Sequence, residues 1–250
     1  MNRLVLFAHF DAENRIRPYI LFHLKALREL GARIHFISNS ALPEEETRKL
    51  QFLAERVLLR ENEGLDFGMW QAALRNLDRS TLDELILTNS SIVGPLFPLE
   101  PIFQRMDANG ADLWAMTESR EHAPHLQTFF VVFRRSALRA QAFEDFFRSV
   151  LPYRAKMQVV RAFEVGLSIY LQEQGLTWSA AFPGIPRCGD LWANLRIRKS
   201  LRHRPKKNPT LLYADQLLEA GMPYVKTMLL AQNPYKLRLQ EIQRMMEQRG

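Results

Sequence analysis

Short apolar runs alternate with stretches in which apolar residues recur every three or four positions, and this rhythm sets the expected order of elements. Residues 3–10 form an apolar run ending in His9-Phe10-Asp11, which predicts a strand with polar side chains at its carboxyl end. A helix follows: Pro18 suits a first turn, Ile20, Leu21, Leu24, Leu27 and Leu30 keep helical spacing, and Gly31 stops it. Residues 32–38 read as a second strand closed by Asn39-Ser40. Pro43 with Glu44, Glu45 and Glu46 opens another helix, and residues 54–59 lead into a third strand. The pattern continues with a helix over 67–77, a short strand at 85–87, a rigid turn at Gly94-Pro95, and a helix over 99–109. Strands at 111–116 and 128–133 follow, with a loop over 122–127 between them, then helices over 136–150 and 159–174. Strands alternating with helices predict an α/β fold: a mainly parallel sheet with helices on both faces.

The carboxyl-terminal part breaks this rhythm. Residues 211–220, 223–232 and 235–248 each read as helices, so the chain divides into a main domain over 1–207 and a helical extension over 208–250. The stretch from residue 60 to 95 organises the main domain. Asn62, Gly64, Asp66 and Gly68 place turn formers and small polar groups ahead of a helix, as a backbone approaching a ligand requires. After that helix, the strand at 85–87 breaks into Thr88-Asn89-Ser90-Ser91. In open α/β sheets, ligands bind at that carboxyl edge.

The chain has 250 residues, 47% hydrophobic and 24% charged, as an ordinary globular core requires. Its one cysteine, Cys188, excludes an intramolecular disulfide framework and fits a reducing compartment, with cytoplasm the default. No apolar run reaches the length of a signal peptide core or a bilayer span, so membrane contact is expected at most on a surface. The formal charge of +7 resides in residues 187–207, where eight basic residues face one acid. Such a segment suits an anionic partner, whether phosphorylated ligand, membrane surface or nucleic acid, and suits a solvated loop equally well.

Familiar signatures are missing. No glycine fingerprint opens the first helix and no Walker loop occurs. The pairs His122-x-x-His125 and His9-x-Asp11 each lack a third ligand, so neither is expected to hold a metal.

Seven phrases, in order, carry a resemblance. They are L-F-A-H-F-D at 6–11, F-I-S-N-S at 36–40, N-E-G-L-D-F-G-M-W at 62–70, L-I-L-T-N-S-S-I-V-G-P-L at 85–96, H-L-Q-T-F-F at 125–130, F-E-V-G-L-S at 163–168 and N-P-T-L at 208–211. Together they resemble the rhamnan synthesis protein F family, glycosyltransferases of bacterial surface-polysaccharide and lipopolysaccharide assembly. The resemblance implies a GT-A-like fold and transfer of a deoxyhexose such as rhamnose from a nucleoside-diphosphate sugar to a glycan or lipid-linked acceptor. It also implies site roles. His9, Asp11, Asn39 and Ser40 lie where a nucleotide would sit, with Asn62, Asp66 and Gly68 in a loop beside it; a turn and helix cap is the structural alternative for His9 and Asp11.

Asn89, Ser90 and Ser91 take the place where such enzymes carry an acidic motif for a divalent ion. Ser90 replaces the acid, and Mg²⁺ or Mn²⁺ favours carboxylates, so use of either ion stays open; one reading is that Arg196, Arg198, Lys199 or Arg202 closes over the diphosphate instead. The alternative is that Asn89 and Ser90 only cap a turn. Glu164 is the expected base, giving inversion at the anomeric centre, although a glutamate early in a helix also answers the dipole. His125 and Gln127 are expected sugar or acceptor contacts, and Trp70 and Trp114 are expected in the core rather than on a sugar ring. Two other classes stay open: a catalytically silent scaffold of a polysaccharide machine, motivated by Ser90, and a nucleic-acid binder using 187–207. The latter lacks a docking motif and is not expected. Attachment to the inner face of the plasma membrane is the expectation that the basic segment adds.

Overall fold

The computed structural model describes residues 1–183 and 208–233, together with Gln240 and Arg244, which are helical. The expected basic loop, with Arg196, Arg198, Lys199 and Arg202, lies outside the described residues, as does most of the last expected helix.

One mixed sheet carries the architecture. Strands β1 (Arg3–His9), β2 (Arg33–Ser38), β3 (Arg56–Leu59) and β4 (Glu84–Asn89) run parallel in the order β3-β2-β1-β4. Beyond β4 the sheet turns antiparallel through β8 (Phe130–Arg134) to β6 (Leu113–Ser119). β6 also pairs with the short β7 (His125–Leu126) and, in parallel, with β9 (Trp178–Phe182). The expectation of a mainly parallel sheet is therefore corrected to a parallel half and a largely antiparallel half. The difference comes from β8, which follows β6 without an intervening helix and inserts antiparallel between β4 and β6.

Every residue of β1 is buried. Its period of two sends Val5 and Phe7 into one core with α1 (Pro18–Glu29) and α4 (Glu100–Asp107), and Leu4, Leu6 and Ala8 into the other. That second core packs against α3 (Leu65–Leu74), α6 (Gln141–Arg148) and α8 (Gly166–Glu173). Trp70 and Trp114 are both fully buried, and the Trp70 indole donates to the Leu6 carbonyl at 3.2 Å. Their expected place in the core is what the structure shows.

Four expected helices differ. The 136–150 stretch is broken at Ala140 into α5 (Arg135–Arg139) and α6. The 159–174 stretch starts earlier, as α7 (Lys156–Val159), and passes through a π-helical turn, Val160–Val165, before α8. The helix expected over 223–232 opens instead as a strand, β10 (Val225–Lys226), paired antiparallel with β5 (Ile92–Val93), and only then becomes α11 (Thr227–Gln232). Tyr224-Val225 before it is better suited to a strand than to a helix's first turn. Ahead of it, α9 (Pro209–Leu212) and α10 (Ala214–Glu219) share the expected 211–220 helix.

The segment after residue 208 packs on the sheet: Leu217, Met222 and Tyr224 join the core of α1. Gly94 makes this approach workable, since a Cβ there would stand 2.3 Å from the Pro223 carbonyl oxygen. Among the described residues no helix is long and apolar enough to cross a membrane.

Candidate functional site at the carboxyl edge of the sheet

The carboxyl ends of β2, β1 and β4 lie side by side, so Ser38, His9 and Asn89 finish on one edge. His9 is fully buried, with Nδ1 2.9 Å from the Ser38 hydroxyl and Nε2 without a partner. Burial pushes its pKa down to about 4, against an opposing pull from Asp11. Asn39 donates through Nδ2 to the Asn62 side chain at 3.0 Å, while its Oδ1 is buried and unpartnered. Asp11 and Ser40 instead tie the β1–α1 loop together. The Asp11 carboxylate receives the Arg17 guanidinium at 2.7 Å and the Glu13 and Arg15 amides, and the Ser40 hydroxyl bridges the Asp11 backbone. Burial alone would raise the Asp11 pKa, but Arg17 and the two amides outweigh it and lower it.

The loop before α3 does what its composition suggested, for a reason internal to the chain. Gly64 takes a left-handed conformation as the N-cap, and a Cβ on Gly68 would lie 2.3 Å from the Glu63 carbonyl oxygen. Gly68 is therefore demanded by this turn's own backbone. The turn places Asp66 in the first turn of α3, where its carboxylate accepts from Asn89 Nδ2 at 2.8 Å. Asn89 in turn receives the Ser91 amide at 3.1 Å and its hydroxyl at 2.5 Å. Ser90 points away from this group: its hydroxyl is engaged with the Phe10 backbone, accepting from the amide at 3.2 Å and donating to the carbonyl at 3.3 Å.

Lys226 closes the cluster. Strand β10 brings its Nζ to 3.2 Å from the Ser91 hydroxyl and 4.2 Å from the centre of the Phe129 ring. Burial lowers its pKa to about 8, opposed by the carboxylates of Glu164 and Asp66. Asp66 moves the other way, to about 6: burial raises it, and Lys226 and the Asn89 hydrogen bond hold the rise in check.

Glu164 sits in the π-helical turn rather than at a helix start. Such turns carry one extra residue and are frequent at functional sites. Its carboxylate accepts from the Thr128 hydroxyl at 3.3 Å and lies 3.8 Å from His125 Nε2, the spacing of an ion pair rather than a hydrogen bond. His125 is buried, and its Nδ1 donates to the Ala123 carbonyl at 2.7 Å, which leaves Nε2 to face the carboxylate. Burial disfavours the imidazolium, yet Glu164 and the Ala123 carbonyl together outweigh burial and raise the pKa.

Gln127 lies beneath, its amide spent between the Thr117 hydroxyl at 2.8 Å and Asn208 at 3.1 Å. The structure thus assembles Asp66, Asn89, Ser91, Glu164 and His125, adding Lys226 and Thr128, which sequence reasoning missed. Thr128 had the signal of lying inside H-L-Q-T-F-F, whereas Lys226, 135 positions from its partner Ser91, had none.

Among the described residues no three His, Cys, Asp or Glu side chains converge to hold a divalent ion, and the group at Asn89–Ser91 offers an amide, hydroxyls and an ammonium.

Comparison with family models identifies the family. The model for "rhamnan synthesis protein F" matches residues 34–248. The virulence protein VirA of Vibrio anguillarum is 25% identical over 193 residues, which cover 70% of this chain and 62% of VirA. The chain thus spans about three fifths of the length of that curated relative. Among solved structures, the 4-diphosphocytidyl-2C-methyl-D-erythritol synthase of Anaerococcus prevotii is 12% identical, covers 65% of this chain and 84% of its own, and gives a TM-score of 0.44. Staphylococcus aureus TarS (residues 1–349) in complex with UDP-GlcNAc is 10% identical, covers 54% of this chain and 46% of its own, and gives 0.39.

Proposed function

The chain belongs to the rhamnan synthesis protein F family, and we propose that its carboxyl-edge site transfers a sugar from a nucleoside-diphosphate donor to a growing surface-polysaccharide glycan. One observation carries the reading. A carboxylate, Glu164, is held by Thr128 and His125 at the same edge as the polar strand end Asn89–Ser91, near enough for its charge to act on both Asp66 and Lys226.

Glycosyl transfer needs a base for the acceptor hydroxyl and charge to meet the leaving diphosphate. Glu164 takes the acceptor proton. The freed oxygen attacks the anomeric carbon, the bond to the diphosphate oxygen breaks, and the diphosphate leaves with the electron pair. Attack from the face opposite the diphosphate inverts the centre. Thr128 and His125 fix the carboxylate's direction. The unpartnered His9 Nε2 and Asn39 Oδ1, at the ends of β1 and β2, support a polar nucleotide moiety there. Phe10, 49% exposed beside them, offers a ring on which a base can stack. The sugar is a deoxyhexose such as rhamnose, and the acceptor is glycan or lipid-linked, met at an anionic membrane surface through the basic segment 187–207.

The test pairs binding with turnover. UDP, GDP, dTDP and CDP are screened for thermal stabilisation, and the matching nucleotide sugar for diphosphate release in the presence of glycan acceptor. Glu164→Gln is expected to keep nucleotide binding and to lose roughly 10²- to 10⁴-fold in turnover. Nucleotide binding without turnover by the unaltered protein would instead favour the silent scaffold. No stabilisation by any nucleotide would refute glycosyl transfer. Failure to sediment with anionic vesicles at low salt would remove the membrane contact.

A further inference from the structure

The strand end Asn89–Ser91 contains no carboxylate, yet a cation stands beside it. Lys226 reaches it from the opposite end of the chain, with Nζ 3.2 Å from the Ser91 hydroxyl. Its approach is fixed by backbone: β10 pairs with β5 in the register Val225 to Val93 and Lys226 to Ile92, and the Thr227 amide donates to the Ser91 carbonyl at 2.9 Å. The ammonium itself stands over the Phe129 ring, 4.2 Å from its centre, which aims it.

Two carboxylates act on it from other elements, Asp66 of α3 and Glu164 of the π turn, while the exposed Lys156 of α7 opposes them. An ion carrying two positive charges would have to share this space with an ammonium on which those carboxylates already act. Among the described residues those carboxylates are two, and Asp66 is already engaged by Asn89.

We infer that Lys226 takes the place of a divalent cation, its ammonium neutralising the donor's diphosphate with the Ser91 hydroxyl beside it, so that donor binding and release proceed without metal. This inference rests on the glycosyl-transfer reading and assigns to Lys226 the role that the sequence alone gave to residues 196–202. A charge-assisted contact from an ammonium to a phosphate also explains why a lysine is kept partly buried at this point, where burial works against its charge.

The experiment measures affinity for the nucleoside diphosphate selected by thermal shift and for the corresponding nucleoside, in EDTA and in Mn²⁺, for the unaltered protein, Lys226→Met and Lys226→Arg. Unaltered protein is expected to bind the diphosphate equally well in EDTA and Mn²⁺. Lys226→Met is expected to lose roughly 10- to 100-fold in diphosphate affinity, the loss of one charged hydrogen bond. Its nucleoside affinity should be unchanged, which shows that the site is still folded. Lys226→Arg is expected to recover most of the loss. A requirement for Mn²⁺, or a Lys226→Met that binds diphosphate as tightly as the unaltered protein, overturns the inference while leaving glycosyl transfer standing. Absence of any nucleotide binding by the unaltered protein overturns both.

Discussion

His23 gives the fold an acid-labile joint, and its size follows from its surroundings. The ring is 1% exposed, stands edge-on to Phe7, lies against Phe130 and Tyr224, and has Nε2 2.9 Å from the Tyr224 hydroxyl and Nδ1 unpartnered. Burial pushes its pKa from 6.5 down to about 3. The folded state therefore holds the ring neutral, whereas the unfolded chain takes up a proton below 6.5. Stability is full above that value and drains as pH falls from 6.5 towards about 3. Linkage over that interval puts the loss from this one ring at about 2 kcal/mol between pH 7 and pH 5, and at roughly twice that by pH 3.

The control is His23→Phe with Tyr224→Phe, which removes both polar partners and so leaves neither unpaired, a change close to neutral at pH 7. Urea unfolding at pH 7 and pH 5 then compares the two proteins. The unaltered protein should lose about 2 kcal/mol more than the double variant on acidification, and His9, shared by both, cancels. Equal losses would mean that His23 is not held neutral, and the reasoning from burial would fail.

Gly68→Ala places a Cβ 2.3 Å from the Glu63 carbonyl, inside the α3 turn that carries Asp66, and should cost about 2 kcal/mol in urea unfolding. A cost below a few tenths would show that the turn relaxes. His125, whose pKa is raised chiefly by Glu164 against its own burial, should titrate lower in Glu164→Gln by NMR. Its contribution to stability is present below the unfolded pKa and lost as pH rises through the folded one, so that variant should also lose stability selectively on the acid side.

The parallel half of the sheet was legible because its strands and helices are local in sequence and each is marked by period, proline or glycine. The carboxyl edge was legible for the same reason: Asn89 ends a short apolar run, and Asp66 sits among turn formers. What stayed hidden were pairings made across long separations. Nothing near Lys226 announces Ser91, and Pro223 made its strand read as a helix start. The π turn around Glu164 leaves no periodic mark that distinguishes it from an α-helix. Gly68 was singled out for a ligand's approach, and the close approach present in the fold is that of the Glu63 carbonyl. Ser90 looked like the substituted acid, whereas its hydroxyl braces the Phe10 backbone and Ser91 faces the lysine.

The ionisation of the cluster constrains how the site can work. Asp66 titrates at about 6 and Lys226 at about 8, so between those values the aspartate is charged and supports a charged ammonium. Below about 6 Lys226 loses that supporter yet stays protonated; above about 8 it loses its own charge, and in the role inferred for it the diphosphate would lose its counterion. A bound diphosphate shifts this balance, because its negative charge favours the protonated amine, and binding must therefore take up protons above pH 8. Diphosphate affinity measured in EDTA should hold from pH 6.5 to 7.5 and fall as pH climbs through 8 to 9.5. In Lys226→Arg the fall should vanish, since a guanidinium remains charged throughout. A fall of the same size in the arginine variant would place the titrating group elsewhere, on the nucleotide or another side chain, and would remove the ammonium from the diphosphate.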